Sequence, residues 1–183
     1  MTSAFPGFDS PAVGFEQPFE MLEACHERVR RSLALLGRLI AHVDAHGHDA
    51  KSRSAAIDVL RYFDLAAPLH HQDEEQHVFP MLAGSGDASL AAAVAGLRAD
   101  HARMEAHWAG LRIVLDAWSR MNAVGVIDAV RRQQAVEFEH LYAAHIQTEE
   151  GVVFPAARAR MDAARLAIMS ADMEQRRRAA APS

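Results

Sequence analysis

Two stretches of this chain repeat one another at a distance of 75 residues. The string HHQDEEQHVFP begins at His70, and HIQTEEGVVFP begins at His145 without a gap in the alignment. A histidine earlier in each half, at His26 and at His101, keeps the same spacing. The repeat predicts two similar units related by a pseudo-twofold axis, each with one early histidine and one His-x-x-x-Glu pair.

Each unit reads as a pair of helices. Ala, Leu, Arg and Glu dominate from Phe19 onward, and breaks fall at Gly- and Asn-containing segments. The predicted helices cover roughly 18–46, 50–82, 87–121, 125–158 and 160–179. Pro68 lies inside the second of them and is expected to kink it. Short loops between long helices imply antiparallel neighbours, so we expect an all-α fold, an up-down-up-down four-helix bundle.

The domain boundaries follow from these breaks. We expect an extended N-terminal arm over 1–17, the bundle over 18–158, and a C-terminal helix and tail over 159–183. Four phenylalanines are expected to anchor the arm on the body, namely Phe5, Phe8, Phe15 and Phe19. The arginine run 176–178 reads as an exposed helix end.

Each predicted helix carries an apolar seam at alternating steps of three and four residues. Histidine and glutamate interrupt these seams. Because a buried, unpaired carboxylate costs several kcal/mol or gives up its charge, such residues need a shared purpose. The sequence therefore predicts one polar cluster inside the bundle.

The loops place the histidines of this cluster in one layer, because residues equidistant from a hairpin turn lie opposite each other. The midpoint of His26 and His70 is residue 48, inside the first loop. The midpoint of His70 and His101 falls at 85 to 86, and that of His101 and His145 at 123, each inside a later loop. The two glutamates of the repeat lie one turn away, ~6 Å along their helices.

Two histidines and one carboxylate per half suit two metal ions, with bridging carboxylates and capping imidazoles. Nitrogen and oxygen ligands point to iron, manganese or zinc, and a single Cys excludes thiolate cages. The predicted ligands are His26, His70, Glu74, His101, His145 and Glu149. Weaker candidates are His71, His77 and Glu105, and Trp108 and Tyr142 are expected to line the adjoining pocket.

This residue pattern resembles the hemerythrin-like HHE cation-binding domains over about residues 18–158. The resemblance implies a four-helix bundle with a non-haem di-iron centre, the four histidines as terminal ligands, and Glu74 and Glu149 as bridges. Oxygen-carrying members add a fifth histidine one turn after the third-helix ligand, where this chain has Glu105. The set of four histidines and two glutamates looks more like that of the di-iron proteins of nitrosative stress and iron–sulfur cluster repair. Those proteins carry paired cysteines in an additional N-terminal segment, which are missing here.

The resemblance implies two iron ions as cofactor, with zinc or manganese as substitutes, and O₂, NO or peroxide as small ligand. We expect a protein that binds these ligands or handles iron, rather than a dedicated enzyme. Two alternatives stay open: a di-iron enzyme (peroxide or NO reduction, ferroxidation, iron–sulfur cluster repair) and a zinc-binding structural bundle. A ferritin-like fold is disfavoured, since its helices carry Glu-x-x-His.

Composition excludes other classes of partner. The net charge is −5, so there is no basic surface for nucleic acid. Apolar stretches are broken before membrane-spanning length, and the N-terminus lacks the pattern of a signal peptide. We therefore expect a cytoplasmic protein without membrane contact; a homodimer and the identity of a redox partner stay open.

Overall fold

Helices account for most of the described chain. The structure, a computed structural model, describes residues 14–120 and 123–180, and no β-strand occurs within these two ranges. The all-α class is confirmed. Phe5 and Phe8 of the predicted arm lie outside the described residues.

The described helices occupy five stretches, which we number α1 to α5. Helix α1 is Pro18–His46, α3 is Ala88–Trp118 and α5 is Ala163–Ala180. Helix α2 (50–83) joins Ala50–Arg61, the π turn Tyr62–Ala66, Ala67–Asp73, the π turn Glu74–Val78 and Phe79–Ala83. Helix α4 (129–158) joins Ala129–Thr148, the π turn Glu149–Val153 and Phe154–Arg158.

Aspartate side chains begin three of these helices. The Asp49 carboxylate accepts from the Ser52 N–H of α2, and Ser52 Oγ accepts in return from the Asp49 N–H, both at 2.8 Å. Asp87 and Asp128 accept from the first-turn N–H groups of α3 and α4. Gly47, with φ 77°, ends α1 in a conformation that favours glycine. These caps satisfy N–H groups that a helix leaves unpaired, and so fix where each helix starts.

Four helices form a ring around the core. Helix α1 packs on α2, α2 on α3, α3 on α4, and α4 on α1. The core is divided into two apolar clusters. The first includes Val29, Leu33, Phe63, Met104 and Phe138. The second includes Leu22, Val78, Leu97, Phe154 and Met169. Along all four helices the predicted polar layer falls between these two clusters.

The π turns shift the register of the buried face by one residue. In each, an N–H reaches five residues back: Phe79 to the Glu74 carbonyl and Phe154 to the Glu149 carbonyl. The extra residue rotates His77 and Val152 away from the seam that the 3.6-residue period predicts for them. Val152 is 46% exposed, whereas Val153 is fully buried.

A proline follows each π turn by two residues, at Pro68, Pro80 and Pro155. Proline has no N–H, and its ring clashes with the carbonyl four residues back in a regular helix. A π turn removes that conflict locally. The kink expected at Pro68 therefore takes the form of a π turn over Tyr62–Ala66 within a continuous helix.

Helix α5 packs across the second apolar cluster, with Met169 and Met173 fully buried. The interpretation of the arginine run as an exposed helix end is wrong for two of its members. Arg176 donates to Oδ1 of the fully buried Asp73, and Arg177 donates to Oδ2, each at 2.6 Å. Phe15 also packs against this cluster, and its carbonyl accepts from the Ser170 hydroxyl.

None of the described helices combines the length and the apolar character that crossing a membrane demands.

Candidate metal centre

The structure brings the six predicted ligands together between the two apolar clusters. The His26 and His70 rings lie 5.0 Å apart, and the His101 and His145 rings 4.8 Å apart. Five of the six residues are at most 2% exposed. The exception is His101, whose side chain is 10% exposed. Three hairpin midpoints taken from the sequence were enough to predict this layer.

The ligand atoms fall into two overlapping groups. One group contains His26, His70 and both glutamates, and the other contains His101, His145 and the same two glutamates. Within each group the nitrogen and oxygen atoms all lie within 4.8 Å of one another. Two pairs of imidazoles thus share one pair of carboxylates, Glu74 and Glu149.

Each glutamate lies between one histidine of each group. Glu149 Oε2 is 3.1 Å from His26 Nε2, and its Oε1 is 3.0 Å from His145 Nε2. Glu74 Oε1 is 3.2 Å from His70 Nε2, and its Oε2 is 3.4 Å from His101 Nε2. A carboxylate that spans two nitrogen pairs in this way is placed to bridge two cations.

These short contacts do not satisfy the carboxylates. Within the described part of the chain, neither oxygen of Glu74 nor of Glu149 has a hydrogen-bond partner, although ring nitrogens are close. His26 Nε2 is likewise buried without a partner. Buried polar atoms are almost always hydrogen-bonded, so a cluster of orphaned acceptors that converge on one region fits a bound cation. The donor set of imidazole and carboxylate suits iron, manganese or zinc.

The electrostatics of the metal-free cluster point the same way. Burial, and after it the neighbouring Glu149, raises the pKa of Glu74 well above its ordinary value. Burial would also raise the pKa of Glu149, but the imidazoles of His145 and His26 outweigh it and hold that pKa well below its ordinary value. Burial lowers the pKa values of His70 and His101, which keeps both rings neutral near pH 7. Two adjacent buried carboxylates can both ionise only beside a positive charge, which a cation supplies.

Carboxylates outside the cluster orient two of the histidines. His26 Nδ1 donates to Glu150 Oε1 at 2.9 Å, and Arg30 holds the same carboxylate at 3.0 Å. In the other half, His101 Nδ1 donates to Glu75 Oε1 at 3.1 Å. Since each Nδ1 carries the proton in this arrangement, each Nε2 presents its lone pair to the centre.

These partners cross between the halves of the repeat. Glu150 belongs to the second half and orients His26 of the first, whereas Glu75 belongs to the first half and orients His101 of the second. Arg98 holds Glu75 at 2.8 Å. The repeated Glu-Glu pair in the sequence was a signal for this role: the first glutamate faces the centre and the second supports a histidine.

Two phenylalanines, which are not among the predicted site residues, pack on His26 and His101. Phe154 stacks on His26 at 5.4 Å, and Phe79 stacks on His101 at 5.5 Å. Both rings are fully buried. Each directly follows a π turn, one that starts at Glu74 and one that starts at Glu149. The phenylalanines of the repeated Phe-Pro motif therefore cover the centre on the side that faces the second apolar cluster.

The weaker ligand candidates do not join the two groups. His77 turns toward α5, where its Nε2 is 3.1 Å from Asp172 Oδ2, because the π turn rotates it off the seam. Glu105 is exposed and lines a cavity beside the centre. His71 lies closest, with its ring stacked 4.0 Å from that of His101, but it is not a member of either ligand group.

A cavity of about 590 Å³ reaches the centre along His71 and His101. Trp108 and Tyr142 line it, as the sequence predicts. Asp64 and Arg112 also line it and were not expected from the sequence; Asp64 accepts from the Trp108 indole at 2.9 Å and from Arg112 at 3.0 Å. The centre is thus connected to a sizeable space rather than closed on all sides.

The fold and site define a helical bundle with a buried histidine and carboxylate centre of the kind that holds cations. The family model of the hemerythrin HHE cation-binding domain matches residues 17–157. The chain therefore belongs to the hemerythrin HHE family. An uncharacterized protein of Haemophilus influenzae is 32% identical over 102 residues, which is 56% of this chain and 59% of that protein. The chain thus matches somewhat more than half the length of this relative.

Proposed function

We propose that the centre holds two iron ions and that the protein binds O₂, NO or peroxide there, or handles iron. The observation that carries the proposal is the pair of overlapping ligand groups, which share Glu74 and Glu149. In this assignment His26 and His70 would hold one ion, and His101 and His145 would hold the other. The two shared carboxylates would contribute to both sites.

Two features of the cluster favour two ions over one. Its carboxylate oxygens are buried acceptors without hydrogen-bond partners in the described chain. Each glutamate also contacts a histidine from both groups, so a single ion would leave one pair of imidazoles without a role. When bound, iron at nitrogen and oxygen ligands supplies reversible binding and reduction of small oxidants.

The protein's own groups prepare this chemistry. Glu150 and Glu75 fix the proton on the far nitrogen of His26 and His101, which leaves the near nitrogen free to ligate. Phe154 and Phe79 exclude water from one side, and a dry, apolar surround influences redox potential and solvent access. Where Glu105 stands, no histidine adds a further ligand, which favours an open coordination position.

We also propose that the ring of α1 to α4 runs up-down-up-down. The support is the layer itself: histidines equidistant from three successive loops lie together, as antiparallel neighbours require. Helix α5 then lies outside the ring and covers the second apolar cluster.

A di-iron enzyme is the second candidate, and the cavity beside His101 favours it. Turnover needs repeated exchange of substrate and product, and this cavity gives small molecules a route to the centre. Turnover separates the two candidates. Peroxide consumed in many equivalents per chain, with a reductant present, indicates an enzyme; consumption that stops near one equivalent indicates a binding protein.

The test of the proposal is ligand binding by iron-loaded protein. Protein reconstituted with ferrous iron without oxygen is titrated with NO and, separately, exposed to air, while its optical spectrum is recorded. We expect saturable spectral changes in the wild type and in His42→Ala, a histidine near the first loop that pairs with Asp49. A spectrum that stays silent to NO and to air, in protein that holds iron, contradicts the proposed binding of small ligands, and protein that takes up no iron contradicts the proposed function as a whole.

A further inference from the structure

The cavity beside the centre is much larger than a diatomic ligand requires. It has a volume of about 590 Å³. A water molecule takes up about 30 Å³ of liquid, and O₂ or NO is of similar size. Cavities that bind organic ligands range from about 300 to 1,000 Å³. The space therefore matches a small organic molecule.

Its wall is aromatic over one stretch. Phe63 and Trp108 lie 5.0 Å apart between ring centroids, and Phe63 and Phe138 also lie 5.0 Å apart. Both phenylalanines and Trp108 line the cavity, together with Met104. Flat aromatic molecules pack well on such rings through offset and edge contacts.

Among the residues that line the cavity, one has a buried polar atom without a partner. His71 lines the cavity, and its Nε2 is buried with no hydrogen-bond partner among the described residues. A hydroxyl group can pair with this nitrogen whichever tautomer the ring adopts, because a hydroxyl both donates and accepts. Leaving a buried nitrogen unpaired is costly, so a ligand with a hydroxyl at this point is favoured over one without it.

The charged side chains that line the cavity disfavour an anionic ligand. The lining includes three carboxylates, Asp64, Glu75 and Glu105, and one guanidinium, Arg112. Arg112 is already paired with Asp64 at 3.0 Å, and Arg98 holds Glu75 at 2.8 Å. Within the described chain, this leaves Glu105 as the lining carboxylate without a guanidinium partner. A carboxylate ligand would meet net negative charge in a partly enclosed space, whereas a neutral ligand would not.

We propose that this cavity binds a neutral aromatic molecule with one hydroxyl group, which lies against Phe63 and Trp108 and places its hydroxyl at His71. This site goes beyond the proposed function, because it takes an organic ligand and does not require metal in the centre. Asp64 and Arg112, 28% and 51% exposed, stand at its outer edge.

The test is calorimetric titration of the purified full chain with naphthalenemethanol as probe. Methylnaphthalene, which lacks the hydroxyl, and naphthalene carboxylate, which is an anion, serve as comparison ligands. Two variants on α3 are compared: Ala109→Phe, which places a ring in the cavity, and Ala106→Phe, an exposed position that does not line it. Helix content and metal content of every preparation are measured alongside.

We expect the alcohol to bind best, about three- to tenfold tighter than the methyl compound, and the carboxylate to bind most weakly. Ala109→Phe is expected to weaken the alcohol about tenfold, since the new ring displaces about 50 Å² of apolar contact, and Ala106→Phe to leave it unchanged. His71→Phe is expected to abolish the preference for the hydroxyl.

Any one of three results overturns the proposal. The alcohol and the carboxylate bind with equal affinity, Ala109→Phe binds the alcohol as tightly as the wild type does, or the alcohol shows no binding up to its solubility limit. Because binding is compared with the metal content of the same preparation, loss of the cavity ligand and loss of the metal centre are told apart. Protein with full metal content and no probe binding contradicts this inference alone. Protein that binds the probe but takes up no iron on reconstitution contradicts the proposed function alone.

Discussion

At the scale of single residues, Glu74 and Glu149 are central to the proposed metal centre. Both are fully buried, and their oxygens have no hydrogen-bond partner in the described chain. Such a pair is costly unless positive charge joins it. We infer that the bridging role, and not helix stability, explains why acidic residues stand at these two positions.

Replacing Glu149 with Ala tests that role. The change removes a ligand from both groups, so we expect iron content after reconstitution to fall from two ions per chain to one or fewer. Glu139→Ala, an exposed position on the same helix, is the control and is expected to keep full iron content. Elemental analysis after desalting measures both. Two retained ions in Glu149→Ala would show that the bridge is assigned to the wrong residue.

Glu150 illustrates how a residue outside the ligand set contributes. It accepts the His26 Nδ1 proton and is held by Arg30. Glu150→Gln keeps the size of the side chain but removes its charge, so we expect metal affinity to fall about 10- to 100-fold. Chelator competition measures the affinity, with Glu137→Gln on the same helix as the control. Unchanged affinity in Glu150→Gln would mean that His26 is oriented by packing on Phe154 alone.

At the scale of elements, the π turns decide which residues face inward. Sequence periodicity predicts the buried face well up to Glu74 and Glu149, because both helices are regular over the preceding turns. Beyond those residues the 3.6-residue period fails, because it predicts a buried seam position for His77 and Val152 that neither residue occupies. A pattern count has no means to detect one extra residue in a turn. The repeated Phe-Pro was the available signal, since a proline inside a helix demands a local change.

Paired substitutions in the third π turn test the register directly. Val152→Asp places a charge on a surface position and is expected to change the free energy of unfolding by no more than about 0.5 kcal/mol. Val153→Asp buries an unpaired carboxylate and is expected to cost about 3 kcal/mol or more. Urea denaturation of metal-free protein measures both. If the two costs are reversed, the helix continues through 149–153 without a π turn.

At the scale of the whole molecule, α5 is joined by ion pairs to α2, the helix that carries the candidate ligands His70 and Glu74. Asp73 directly precedes Glu74, is fully buried, and is neutralised by Arg176 and Arg177 of α5. The sequence predicts helix α5 but not its ion pairs with Asp73. The arginines and Asp73 lie about a hundred residues apart, so no local sequence pattern connects them. The layer of candidate ligands, by contrast, follows from loop positions and from the repeat, which can both be found in the sequence without knowledge of contacts.

Breaking this contact is expected to destabilise the protein. Arg177→Met leaves part of the Asp73 charge without a partner, which costs about 3 kcal/mol, and Asp73→Asn in the same chain should recover much of it. Arg178→Met removes only a surface pair with Glu174 and is expected to cost less than about 1 kcal/mol. Urea denaturation measures all three. Equal effects of the Arg177 and Arg178 changes would contradict the proposed docking of α5.

The most direct test of the whole account is the number of metal ions that the centre holds. Metal-free protein is titrated anaerobically with ferrous iron in a calorimeter, and bound iron is measured after desalting. Two ligand groups that share Glu74 and Glu149 predict two ions per chain. They also predict a bound state that unfolds at a higher temperature than the metal-free protein. Saturation at one ion, or iron that washes off while the buried cluster stays intact, would contradict a two-ion centre.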